Sequence, residues 1–357
     1  MTELFVFIIG IIFSIVYIFS FKQLPKEKYQ FFAVRPYKKS YNQSFEQWDG
    51  INYTFYGLFN SISYSFAVAT ALFLLGSIGL HITQIIIITV LILSLCMPSS
   101  KIFAQIVEKK RHVFSVGAAS FIGIIFTPWI VYLGNIFSQY IWEISYSKIS
   151  VLAAITIAYT FGEGIGRLAC ISFGCCYGKS ISDINSCFHR FISPFSMIFE
   201  GKTKKIAYES NLDGIRVIPI QAITTIIYTS WGLIALYLFL KGYYTISFIL
   251  SIHITQIWRF ISEFLRADYR GKGSVSVYQC MSLISCIYVI PIAYIFNDVN
   301  YFSNLPDIIN GFKIIWKPEI IIFLQLIGIL SFIYTGKSKV TESKVSFQVI
   351  GKCEVVG

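Results

Sequence analysis

The chain has 357 residues, 55% hydrophobic and 13% charged, with a mean hydropathy of +0.67; this excludes a soluble domain and reads as a polytopic membrane protein. Its net charge of +11 sits in loops between apolar runs, so anionic lipid headgroups are the expected partner and nucleic acid is not. Eight cysteines, four of them within 170–187, form neither a small-domain disulfide framework nor a paired C-x-x-C zinc motif, and no metal or cofactor is expected.

Residues 1–21 are an apolar run without a basic leader or a clear cleavage site, which reads as a retained membrane helix. Residues 22–50 are polar, basic and aromatic, as an interfacial linker would be. Apolar runs near spanning length follow at 53–76, 81–97, 114–134, 149–172, 219–240, 244–264, 275–296 and 318–335, making nine spans with the first. Residues 179–218 are the one long polar excursion, with Cys187, His189, Arg190 and a basic cluster at 202–205. The tail after Gly336 is polar. Alternate loops (22–54, 98–113, 173–218, 266–276 and the tail) carry 23 of the 29 basic residues. The opposite set carries Lys148, Lys241, Lys313 and Lys317, so the positive-inside rule puts the 174–178 end of its helix in the cytoplasm.

The stretch 161–179, FGEGIGRLACISFGCCYGK, places Glu163 and Arg167 on one face of a spanning helix. Each charge costs roughly 2.5–3.5 kcal/mol at the centre of an inserted helix, so the pair needs a reason. It is either a structural ion pair or an anion site, where an arginine fork matches a phosphate. Gly166, Gly174 and Gly178 would let a headgroup or a second backbone come close. A second span ends in WRFISEFLRAD, where Arg259, Glu263 and Arg266 share one helix face; Arg266, at the end, could simply snorkel to the interface. Arg216 to Gln221, RVIPIQ, opens another span, with Gln221 able to bond a headgroup or a neighbouring helix. Gln279 reads as helix–helix glue, and Tyr56 as an interfacial anchor or a headgroup ligand.

In their order, these elements resemble the bacterial prolipoprotein diacylglyceryl transferase family. Phe55-Tyr56-Gly57, Gly166-Arg167 with Gly174 and Gly178, Pro219 with Gln221, Arg259-Phe260 with Glu263-Phe264, Arg266 and Asp268, and finally Gln279 follow that family's motifs over about residues 50–296. The chain departs from the pattern at several points. The signature's Asn and Glu fall on Cys170 and Cys175, giving GCCYG for NGE. The element with the family's His is represented by Ala118 to Gly123 with no His, and His112 lies six residues early. Ile223 and Thr224 replace a Tyr and a Glu.

The resemblance implies an all-α bundle of about seven core spans with one extra span at each end. It implies segments at 1–50 (helix and linker), 51–296 (transferase domain) and 297–357 (extra span and tail). The implied reaction moves diacylglyceryl from phosphatidylglycerol, or another anionic phospholipid, to the lipobox cysteine of a preprolipoprotein in the bacterial inner membrane. Arg167 and Arg259 are expected to be catalytic. Tyr56, Gly166, Gly174, Gly178, Gln221, Glu263 and Arg266 are expected to bind lipid. Cys170, Cys175 and Cys176 are candidate reactive or packing cysteines: Cys170 is expected to pack, while Cys175 and Cys176 stay open between packing and reactivity as metal ligands, a redox pair or a nucleophile. Alternatives are another lipid-headgroup or acyl transferase, and a non-enzymatic anionic-lipid binder. The resemblance also places the site on the outer surface, against the charge count.

Overall fold

The computed structural model describes residues 2–26, 32–33, 38–42, 45–49, 52–108, 116–183, 193–267, 275–297 and 305–338. His112, Cys187, His189, Arg190, Asp268 and the tail from 339 lie outside them. The fold is an all-α membrane bundle. Among the described residues, nine long helices stand where the apolar runs predict them: α1 (Thr2–Gln23), α2 (Phe55–Ser77), α3 (Ile82–Glu108), α4 (Val116–Trp142), α5 (Lys148–Phe173), α7 (Ile220–Leu240), α8 (Tyr244–Leu265), α9 (Val277–Ile295) and α11 (Pro318–Gly336). Two short helices, α6 (Lys205–Ser210) and α10 (Ile308–Ile315), lie in the connections. Seven of the long helices are apolar enough to cross a membrane by length and composition. The other two are α3, whose apolar part Ile82–Cys96 is short, and α8, whose run is interrupted by polar residues and an Arg–Glu pair.

The sequence supplies its own helix starts. Thr54 caps α2, accepting from the Gly57 N–H; Ser147 caps α5; Ser276 and Gln279 form a capping box on α9. The last contact gives Gln279 a local task, and its side-chain amide also donates to the Phe260 carbonyl of α8 at 3.2 Å.

α5 is the axis. In its spanning window 78% of residues are buried, against 17% in α1 and 11% in α11, so the terminal helices face lipid. It packs against α2, α7, α8 and α4. Ser63 of α2 donates to the Gly162 carbonyl at 2.6 Å and Thr225 of α7 to the Gly164 carbonyl at 3.0 Å, the small-residue contacts that substitute for a hydrophobic drive between helices in lipid.

Helix ends alternate between the two faces of the bundle. On one face the Gly336 carbonyl at the end of α11 accepts from the Thr54 N–H at 3.1 Å, and Gly178, just past α5, donates to Ile218, just before α7, at 3.1 Å. On the other, Lys241 pairs with Glu3 at 2.6 Å and the Asp307 N–H donates to Ser77 at 2.9 Å. The described helix ends that flank the lysine- and arginine-rich loops therefore share one face. There the 179–218 excursion folds back: Met197–Ile198 pairs antiparallel with Arg216–Val217, and Gly178 and Ser180 bridge to Arg266 and Val217.

Candidate active site

Four residues of α5, Tyr159, Glu163, Arg167 and Cys170, recur at helical spacing and form one stripe. The Glu163 side chain, 3% exposed, sits at its centre. Its Oε1 accepts from Arg167 at 2.5 Å and also from Arg259 of α8, while the Tyr159 hydroxyl donates to Oε2. Gln256 of α8 donates to the Tyr159 hydroxyl at 3.2 Å. One buried carboxylate thus joins two arginines from separate helices. Two guanidiniums and one carboxylate leave a positive charge over within the cluster. The Nε atoms of both arginines are buried and find no hydrogen-bond partner among the described residues. Buried donors left open in this way cost free energy until an acceptor arrives.

The cluster closes one end of a cavity of about 310 Å³. Tyr56, Gly166, Arg167, Glu163 and Cys170 line that end, and apolar residues of α3, α4, α5 and α8 such as Ile92, Ile124 and Phe248 line the rest. A greasy chamber with polar groups converging at one end is the usual form of a site for an amphipathic ligand. Arg259 lies behind Glu163 and is not among the lining residues; it reaches the cavity through the shared carboxylate.

Below the cluster, α5 ends in a tightly specified loop. Gly174 adopts the left-handed conformation, with φ of 69°. Its N–H bonds the Ile171 carbonyl at 3.2 Å and the Cys175 N–H bonds the Cys170 carbonyl at 3.1 Å, a Schellman closure. Cys176 follows at φ 58°, a conformation that costs a non-glycine residue roughly 1–2 kcal/mol. Gln221 is buried and its amide donates to the Cys175 carbonyl at 2.6 Å, while its Oε1 finds no partner among the described residues. Gly178 is pressed on Ile218, where a Cβ would come within 2.6 Å of the backbone oxygen. Lys204, fully buried, donates to the Ser172 carbonyl at 2.6 Å and the Leu24 carbonyl at 3.1 Å, capping α5 with a positive charge.

This loop turns the three thiols together: the Sγ atoms of Cys170, Cys175 and Cys176 lie within 4.8 Å of one another. The Cys176 thiol is held well below the usual thiol range, first by hydrogen bonds from Cys170 and Cys175 and then by the Arg266 and Arg167 charges. Cys175 is pushed up by its hydrogen bonds with Cys170 and Cys176 and then by burial.

The residues singled out by sequence fall into two groups. Tyr56, Gly166, Arg167 and Cys170 meet at the cavity; Gly174, Cys175, Cys176, Gly178, Gln221 and Arg266 build the loop under it. Glu263 lies on α8 one turn beyond Arg259, whose ion pair with Glu163 crosses between helices. Tyr159, Gln256 and the buried role of Lys204 escape a sequence reading, though Tyr159 stands four residues before Glu163 and could have been found by that spacing.

The cavity helices α2, α3, α4, α5 and α8, with α7 and α9 packed beside them, all fall within residues 47–295, which match the family model described as prolipoprotein diacylglyceryl transferase. The chain belongs to that family. The match covers more than two thirds of the chain, and a comparison with curated proteins finds no match. It is a transferase of the family that serves lipoprotein biosynthesis, built as a multi-pass membrane protein. α1, α10 and α11 are additions to the matched unit.

Proposed function

We propose that this transferase moves the diacylglyceryl group of phosphatidylglycerol onto a lipobox cysteine thiol of a preprolipoprotein, releasing glycerol phosphate, at the inner membrane of a bacterium. The observation that carries this reading is the Arg167–Glu163–Arg259 cluster at the end of an apolar cavity, with one positive charge and two buried guanidinium Nε donors uncompensated. A phosphodiester brings the missing negative charge and an acceptor for Arg167, the arginine that lines the cavity. When the thiol sulfur attacks the glyceryl carbon, the carbon–oxygen bond breaks and charge grows on the departing phosphate, where fixed guanidiniums are most effective. Tyr56, Gly166 and the loop from Gly174 to Gly178 frame the headgroup, and the apolar chamber takes the acyl chains.

The charge distribution favours a second reading. With 23 of 29 basic residues in the set of alternate loops that includes 174–178, the positive-inside rule would make the acceptor a cytoplasmic thiol or alcohol. The test is incubation of the purified chain with phosphatidylglycerol labelled separately in the acyl chains and the headgroup, plus a lipobox peptide. Acyl label on the peptide and headgroup label released as glycerol phosphate are expected. Both labels staying in the phospholipid would overturn the reaction. Release of the headgroup label with no label on the peptide would hand the case to another acceptor.

A further inference from the structure

We propose that Cys170, Cys175 and Cys176 bind one zinc ion, whose open fourth position takes the acceptor thiol and strips its proton. The inference rests on the transfer reaction proposed above.

Geometry comes first. Zinc–sulfur bonds of about 2.3 Å in a tetrahedral site put the sulfurs ~3.8 Å apart. The three Sγ atoms lie within 4.8 Å of one another, so a small side-chain adjustment closes them on a metal. The spacing C-x4-C-C carries no zinc signature in the sequence. It becomes convergent only because two left-handed residues, Gly174 and Cys176, fold the end of α5 back on itself. Cys176 takes a left-handed backbone that a glycine would adopt more easily, and that conformation is what turns its thiol towards the other two.

The chemistry comes second. Three protein ligands with one vacant position is the arrangement of catalytic zinc, whereas a structural site is closed by four. Cys170 lines the cavity and lies less than one turn from Arg167, so a metal on its Sγ would stand near the group that would hold the phosphate. The reaction needs the acceptor thiol ionised, and no histidine stands where the family carries one. A thiol bound to zinc is deprotonated outright. Its proton leaves to water as the sulfur binds. The sulfur lone pair then forms the bond to the glyceryl carbon, and the electrons of the broken carbon–oxygen bond leave with glycerol phosphate. The thioether product is a weak ligand and departs. No electron is gained or lost by the metal.

The experiment uses the full-length chain in detergent, reduced with a phosphine. Zinc is added and free metal removed by dialysis, and the ion is counted. About one zinc per chain is expected, falling towards none in Cys176→Ser and Cys170→Ser. Cobalt(II) in place of zinc should give a sulfur-to-cobalt charge-transfer band. That band should shift when a lipobox cysteine peptide is added and stay still with its serine analogue. No stoichiometric zinc, or zinc retained equally by both variants, would overturn the site. A cobalt spectrum blind to the cysteine peptide would overturn the thiol activation. Because a serine variant could misfold, the wild-type protein is also treated with a chelator: transfer should fall at least tenfold and return with zinc. Transfer unchanged after zinc removal would sink the metal role and leave the transferase standing. Zinc binding with a responsive cobalt spectrum but no label transfer would sink the transfer reading and leave the site.

Discussion

Glu163 has two arginines to hold, and that asymmetry sets what substitutions at the cluster do. Removing its charge in Glu163→Gln leaves two buried guanidiniums facing each other. We expect a loss of stability of about 3–5 kcal/mol, seen as a lower Tm in detergent, with an anionic lipid restoring part of it. Arg167 lines the cavity directly, so Arg167→Lys keeps the charge but loses the fork. Transfer should drop roughly tenfold to a hundredfold with little change in Tm. Arg259 acts through Glu163, so Arg259→Lys should lower Tm and activity together. The loop thiols give a pH test. With Cys176 held below the ordinary thiol range and Cys175 above it, iodoacetamide applied to metal-free protein at neutral pH should modify Cys176 first. Lowering the pH should slow Cys176 only once it passes below that depressed value; equal labelling of both cysteines by mass spectrometry would contradict the assignment.

At the scale of elements, the end of α5 is the hinge point of the design. The Lys204 ammonium holds the Ser172 carbonyl, and Gly178 lets the loop touch the start of α7. Lys204→Met should free the last turn of α5 and open two buried carbonyls, lowering Tm by several degrees. Gly178→Ala should do worse, since its Cβ has no room against Ile218. The helices themselves were legible in the sequence, because each is an apolar run, and α2, α5 and α9 start at a capping Thr or Ser. The Glu163–Arg167 pair was legible too, from its spacing of four. Its link to Arg259 was not: an ion pair between separate helices leaves no local spacing to read. The thiol trio was hidden for a different reason, since two left-handed backbone conformations create it and only one falls on a glycine.

For the molecule as a whole, the alternating helix ends fix which loops share a face, and leave the direction of that face as the question that separates the two acceptor readings. We propose, following the family, that the loop face points outward. Among residues 202–205 only Lys202 is exposed, so Lys202→Cys in a chain freed of native cysteines is the reporter to use. Labelling by an impermeant maleimide on intact cells is expected. Protection until the cells are opened would place the acceptor in the cytoplasm.

α8 has a consequence for how the protein is made. It lies among the spanning helices yet is too polar to rank with them, because Ser247, Ser251, Thr255 and Gln256 are turned into the core and Arg259 meets its counter-charge on α5. A segment of this kind gains little by leaving the translocation channel for lipid on its own. Only three residues, 241–243, separate it from the strongly apolar α7, so the two can enter the bilayer as one hairpin, with α5 already present to receive the arginine. In a glycosylation-reporter assay α8 alone should stay outside the membrane, and the α7–α8 pair should integrate. Assembly order, α5 before α8, would then be written into the same carboxylate that serves the site.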